Sequence, residues 1–538
     1  MNNRSRIKIR PPRESDAESF RDAVKAVSKM RSYPPSTKQH RSRGNRMARV
    51  TRLAMLALLV LGATTPPAIP GSMATAASAA DSFDPKPWLQ DLDQAREGFA
   101  TKYANLEWAA LEREIDLSAL FTDAKAQLQA ASSVMDARAA FDRLARRLGD
   151  GHVQFRWFLD HPPETPNANC MALGYDARMF GAPAAALVPG YLPLAEAPAS
   201  EFPAGTIQLA DHKIGVIKIG TFTPKGLPKL CDDALTALKL SQEMLCDKTC
   251  SNRVDTLVSD RMTRNLEAQI RAIKAAGADV LLIDVANNGG GTEWAEAAAR
   301  MVTAVRLKSA RLGFVRGPHW VKYFADTEAD LRATAQGALG NDRKILMMLA
   351  AQAHTYGLEA ETPCDSQPLW IGEIPTCNWL VHGFYASGLI DSADPNAIRI
   401  KPWATHIFAP IRYPYDEGAW RGPLIVLVNG STGSAAEQFV AILQDNHAAV
   451  VMGAPTVGAG CGHTNGGTPT VLKNSGAVLE LPDCARFRAD GSNEVMGVQP
   501  DVLVGLRTQD GPHRQGIRIA DKLPQAVGLA LRAAEAVP

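Results

Sequence analysis

Apolar side chains recur at spacings of three and four between residues 84 and 148, as in PWLQDLDQAREGFATKYANLEWAALEREI and DARAAFDRLARRL. That spacing predicts a set of amphipathic helices. Further along, VLLIDV (280–285), LIVLVN (424–429) and AVVMG (449–453) are runs rich in apolar and β-branched residues, interrupted only by Asp284 and closed by Asn429. Such runs fit strands buried on both faces. Helical periodicity separates them, at 257–276, 293–305 and through GSTGSAAEQFVAILQD. Strand, helix and strand joined by short connections predict parallel βαβ units. Residues 214–219, containing GVIKI, read as one more strand, and 523–536 as a closing helix. Residues 157–205 are rich in Pro and Ala with weak periodicity, and read as a connector with short strands. Residues 306–420 hold Trp, Pro and two cysteines and read as an insertion over the core. No internal repeat is visible.

At 538 residues the chain exceeds the usual ~100–200 residues of one domain. The pattern divides it into 1–80, 81–156, 157–205, 206–508 and 509–538. The first part differs in kind from the rest. Residues 1–52 carry 15 Lys or Arg against 4 acids, and the uncharged run LAMLALLVLGA follows at 53–63. At about 1.5 Å per residue that run is too short to span a bilayer of about 30 Å. A basic flank, a short apolar stretch and small residues near Ala77-Ser78-Ala79 read as a secretory signal, with Met47 as an alternative start. Removing it leaves 43 bases against 52 acids, a net charge of about −9 where the whole chain has +2. Nucleic-acid binding is not expected of that balance, because phosphate neutralisation needs Lys and Arg. A periplasmic or secreted protein is expected, with no stable membrane anchor after signal cleavage.

All eight cysteines lie beyond the leader, an even number that suits disulfides in an exported chain. Cys364 with Cys377 and Cys461 with Cys484 are close in loop-rich stretches and are the expected pairs. Cys246 and Cys250 have no paired Cys/His knuckle elsewhere, so neither a zinc site nor any other metal or cofactor is expected.

Three segments could carry chemistry. In Asn429-Gly430-Ser431-Thr432-Gly433-Ser434-Ala435-Ala436-Glu437 a serine stands at a strand-to-helix turn, where the following N–H groups can receive an anion. Plain helix capping by Ser or Thr is the alternative reading of this segment alone. No G-x-S-x-G accompanies it. Asn287-Asn288-Gly289-Gly290-Gly291 follows a buried strand, and its glycines allow close approach by another backbone. A phosphate loop fails there, for want of G-x-G-x-x-G or a following Lys-Ser/Thr. Gly149-Asp150-Gly151-His152 supplies a lone histidine.

In this order, LGDGHV, GVIKIGTF, LLIDVANNGGG, VLVNGSTGSAAEQFVAILQD, VVMGAPTVGAG and NEVMGVQPDV resemble the tail-specific, C-terminal-processing and tricorn-like serine peptidases. The resemblance covers roughly 90–155 and 205–508, less much of 306–420. It implies an α/β fold with a crotonase-like (ClpP-like) βαβ core and an N-terminal helical domain. Members often carry a PDZ domain before the core; residues 157–205 are too short for one.

By resemblance Ser434 is the nucleophile, and the oxyanion hole is the N–H of Ala435 with that of Gly289 or Gly290. Ser-Lys members carry a lysine where this chain has Ala459, which leaves Lys473 as the remaining lysine near that segment. The tricorn-like branch instead uses a His base assisted by a Glu, roles that map onto His152 and Glu494. That branch has a Ser beside the His where this chain has Gly151, and His463 is a second candidate base. The function implied is hydrolysis of polypeptides through a Ser-His acyl-enzyme. The alternatives are a peptidase fold that binds peptides or apolar ligands without turnover, and an esterase using the same residues.

Overall fold

The computed structural model describes residues 83–157, 165–176, 182–195, 201–463, 470–507 and 509–535. The basic leader and its apolar run therefore lie outside the described residues, as do parts of the 157–205 connector and residues 464–469.

The N-terminal pattern forms three α-helices, α1 (Lys86–Lys102), α2 (Leu117–Gln129) and α3 (Val134–Leu148), with a π-helical turn at Trp108–Glu112 between the first two. Side chains of Asp116 and Ser133 accept the N–H groups of Ala119 and Asp136 and so start α2 and α3. Gly149, at φ +70°, ends α3 in the left-handed conformation that glycine adopts most easily. Strands β1 (Gln154–Arg156), β2 (Tyr191–Pro193), β3 (Ala204–Leu209) and β4 (His212–Lys218) follow. Next come helices α4 (Pro228–Leu238) and α5 (Lys248–Ala275), strand β5 (Val280–Asp284) and helix α6 (Trp294–Met301). The 306–420 segment contains β6 (Arg311–Val315), α7 (Pro318–Gln336), α8 (Gly340–Glu361) and β7 (Leu380–Tyr385). Then β8 (Leu424–Val428), α9 (Ala435–Asp445) and β9 (Val450–Gly453) form a parallel βαβ unit. Short strands β10 (Thr470–Val471), β11 (Val478–Glu480), β12 (Cys484–Phe487) and β13 (Val502–Leu503) precede α10 (Pro512–Glu535).

One seven-stranded sheet, in the order β13-β9-β8-β5-β4-β3-β2, carries the core. Pairing is parallel from β13 to β4 and antiparallel at β3 and β2. The apolar runs are explained by burial on both faces. Leu281 and Ile283 of β5, with Val426 and Val428 of β8, pack against α4, α5, α6 and α9. Their alternates Val280, Leu282, Ile425 and Leu427 pack against α10 through Ile519, Leu523 and Val527. α10 begins eleven residues before the predicted 523–536 helix, with Pro524 inside it.

The 306–420 segment is more than a cover over the sheet. β6 pairs with β7 on one side and with β12 on the other. Its Phe314, Trp320, Phe324, Leu346 and Trp379 share one apolar core with Phe99, Leu120 and Phe141 of the N-terminal helices. The two regions that the sequence pattern separates thus form a single helical lobe. Four disulfides brace the chain: Cys364–Cys377 and Cys461–Cys484, as expected, with Cys170–Cys231 and Cys246–Cys250. Among the described residues no helix is long and apolar enough to cross a membrane.

Candidate active site

Two loops meet at the C-terminal ends of β5 and β8, where parallel sheets collect ligands. The loop after β5 is tied to its neighbours by its own polar side chains. The buried Lys218 ammonium reaches the Asp284 carboxylate at 3.2 Å and also binds the Ala286 carbonyl. Asn288 donates to the Ile219 carbonyl at 2.9 Å and accepts from the Gly290 N–H at 2.8 Å. The loop after β8 is clasped to it, since the Gly433 N–H donates to the Asn288 carbonyl at 3.0 Å. The contact leaves no room at Gly290: a Cβ there would stand 2.8 Å from the Ala435 nitrogen and from the Ser434 Cβ.

Ser434 occupies φ +54° and ψ −122° at the head of α9. A non-glycine residue in that region carries roughly 1–3 kcal/mol of strain, which persists where surrounding contacts over-determine it and is commonest at functional sites. The contacts here are visible. The Ser434 N–H donates to the Glu437 carboxylate at 2.9 Å, and the same buried carboxylate accepts from Thr456 Oγ1 and from the N–H groups of Gly458 and Ala459. Burial raises the Glu437 pKa, opposed by those hydrogen bonds. One carboxylate therefore joins the serine turn to the 456–459 loop.

His152 arrives from the helical lobe. After Gly149, the Asp150 carboxylate accepts the His152 backbone N–H at 2.9 Å, and is itself held by Tyr103 Oη at 3.0 Å and Asn105 Nδ2 at 2.9 Å. Burial raises the pKa of Asp150. The imidazole then lies between two partners: Nε2 is 3.1 Å from Ser434 Oγ and Nδ1 is 2.7 Å from the Ala459 carbonyl oxygen. A carbonyl only accepts, so Nδ1 carries a hydrogen, and the neutral ring of that tautomer presents the Nε2 lone pair to the hydroxyl. Gly462 packs against the ring, where a Cβ would come within 2.9 Å of Cε1 and Nε2.

The remaining expected residues fall differently. Glu494 does not reach His152. Its buried carboxylate is occupied by the Arg486 guanidinium, with Nε to Oε2 at 2.7 Å and a second bond from Nη2 to Oε1. The His152 Nδ1 is held instead by the Ala459 main-chain carbonyl. The Gly290 N–H is likewise spent on Asn288 Oδ1, so it is not open to an oxyanion. The Gly289 N–H and the Ala435 N–H have no acceptor among the described residues. His463 stands beside His152, ring centroids 5.7 Å apart, but its Nδ1 faces the Leu481 carbonyl at 3.0 Å. Burial lowers the His463 pKa, and the neighbouring His152 lowers it further. Lys473 lies exposed on the hairpin against α1, its N–H on Gln94. Asp150, Glu437, Arg486 and the Ala459 carbonyl were not among the expected site residues. Only the S-x-x-E spacing of Ser434 and Glu437, a capping-box pattern, could have pointed to one of them.

A hydroxyl facing an imidazole nitrogen, beside N–H groups at a helix start, is equipped for nucleophilic acyl transfer. Among the described residues no cluster of His, Cys, Asp and Glu is arranged to hold a metal ion. In fold, the chain is similar to a CPAF mutant, at 15% identity and TM-score 0.50, over 83% of this chain and 98% of that one. Mature CPAF complexed with lactacystin aligns at 15% identity and TM-score 0.48, over 83% and 99%. The photosystem II D1 C-terminal processing protease aligns at 13% identity and TM-score 0.31, over 78% and 92%. No curated protein matches the chain. Residues 213–504, more than half its length, match peptidase family S41, and the chain belongs to that family.

Proposed function

We propose that this chain is an exported serine peptidase that hydrolyses polypeptides through an acyl-enzyme on Ser434. The observation that carries the reading is the His152 ring, bonded at 3.1 Å to the serine hydroxyl and at 2.7 Å to a carbonyl that sets its tautomer. His152 Nε2 takes the hydroxyl proton as Oγ attacks the substrate carbonyl, then returns it to the leaving amine. The N–H groups of Ala435 and Gly289 receive the oxyanion. Water, deprotonated by the same imidazole, releases the acyl group. Export is supported by the leader composition and by four disulfides, which persist in oxidising compartments.

The competing reading is a peptide-binding protein that does not turn over. It is favoured by one observation, that among the described residues no carboxylate faces His152 Nδ1 to stabilise the imidazolium. A fluorophosphonate probe separates the two, because only an activated hydroxyl reacts. One label per chain, located on Ser434 by mass spectrometry, is expected of the folded protein. Folded protein that stays unlabelled after prolonged exposure rules out the enzyme.

Gly462→Ala tests the ring's seat. A methyl within 2.9 Å of the imidazole displaces it, and the φ of +75° adds about 1–2 kcal/mol of strain. The variant is expected to fold with a lowered melting temperature and to label roughly 10²-fold more slowly, as a misplaced base requires. Unchanged labelling kinetics count against His152 as the base.

A further inference from the structure

The mechanism as drawn leaves a buried ion pair directly behind the nucleophile unexplained. Arg486 is on β12, in register with Leu312 of β6, and its side chain is almost completely enclosed. Beyond its two bonds to Glu494, its guanidinium makes three others. Nη1 donates to Gln438 Oε1 at 3.0 Å, and Nη2 reaches the Gly460 carbonyl at 3.0 Å and the Ser434 carbonyl at 3.4 Å. Burying a charged pair is costly, and apolar replacements of similar volume are often no less stable. Stability is therefore a weak explanation for this pair.

The bonded atoms suggest another role. The Ser434 carbonyl and the Ala435 N–H belong to one peptide unit, which is planar and trans, so the two groups point in opposite directions. A cation drawing on that carbonyl sets the direction of the N–H on the far side. It also polarises the unit, since hydrogen bonds in series strengthen one another in a low-dielectric interior. The Gln438 N–H donates to the same carbonyl at 3.0 Å, as helix geometry demands, so Arg486 adds a charged donor to an existing one. Its bond to Gly460 reaches the loop between Ala459, whose carbonyl holds His152, and Gly462, which backs the ring. One planar guanidinium thus spans the serine turn and the histidine's support. Its fork of fixed donors suits that task, which a lysine's single ammonium does not.

We propose that Arg486, fixed by Glu494, is a positioning residue: it aims the Ser434–Ala435 peptide at the oxyanion and locks that peptide to the loop that seats His152. The proposal rests on the serine-hydrolase reading above and assigns Glu494 an indirect part in it.

The test uses the full mature chain, active sites titrated with the fluorophosphonate so that misfolded protein is not counted. Arg486→Met combined with Glu494→Leu removes both charges together and leaves no lone buried ion. Arg486→Lys keeps the charge but loses the fork, and serves if the double variant does not fold. For the double variant, kcat per titrated site with a chromogenic peptide ester is expected to fall about 10²-fold, the scale of a lost oxyanion donor. KM is expected to stay within about threefold. Affinity for a peptidyl boronate is expected to weaken by the same factor as kcat/KM. For Arg486→Lys, a fall of about tenfold is expected with the same pattern. A kcat per titrated site equal to wild type overturns the proposal, as does a loss confined to KM. A wild-type protein that the probe never labels overturns the hydrolase reading and this inference together. A wild type that labels at Ser434, with variants equally fast, overturns this inference alone.

Discussion

Ser434→Ala is expected to reduce peptide hydrolysis by a factor on the order of 10⁴–10⁶ while leaving the fold intact. The hydroxyl's one side-chain partner among the described residues is His152, and alanine keeps the Cβ, so the turn retains its shape and its strain. Thermal unfolding should shift by less than the equivalent of about 1 kcal/mol. A second substitution at the same position separates chemistry from backbone. Glycine accepts φ +54° without penalty, so Ser434→Gly should unfold at a higher temperature than Ser434→Ala while being equally inactive. Hydrolysis by Ser434→Ala at even a hundredth of the wild-type rate would point to a different nucleophile. Equal melting temperatures for the two variants would mean that the turn stores no strain.

His152→Ala is expected to cost nearly as much, because in the proposed mechanism Ser434 and His152 act as a unit and their losses do not add. The double variant with Ser434→Ala should be no slower than either single one. Labelling by fluorophosphonate should fall with turnover, since both depend on deprotonating the same hydroxyl. Raising the pH should recover part of the labelling, as hydroxide replaces the missing base. His463→Ala provides the contrast. Its ring faces the Leu481 carbonyl and makes no bond to Ser434, so activity within severalfold of wild type is expected. The reverse outcome, with His152→Ala active and His463→Ala dead, would assign the base to His463.

The βαβ core was legible because its signal is local. VLLI (280–283) and LIVLV (424–428) are apolar at every position, and a parallel strand covered by helices on both faces needs that. The 306–420 segment was not legible, for the opposite reason. α8 carries Met348 and Leu358 on its exposed side, 61% and 53% accessible, which smears the helical stripe. Its membership of the N-terminal lobe is a matter of long-range packing that no window of residues contains. At the site, the serine turn and the glycine loop could be placed because their backbone demands are written in small residues. The partner of His152 could not, since Ala459 offers a main-chain carbonyl and any residue type carries one. The resemblance drew attention to Glu494, whereas the structure pairs its carboxylate with Arg486 eight positions before it. A lone arginine on a short strand carries no motif.

The strand that presents Arg486 has its own dependence. β12 hydrogen-bonds to β6, and β6 to β7, so the excursion between β5 and β8 supplies the bed on which β12 lies. Cys484 of the same strand is bonded to Cys461, next to the glycine that backs the imidazole. The polypeptide cannot be trimmed to a bare βαβ nucleus without leaving β12 as an unpaired edge and freeing the loop under His152. Length that looks dispensable on a map of the chain is, in three dimensions, the foundation of the candidate site.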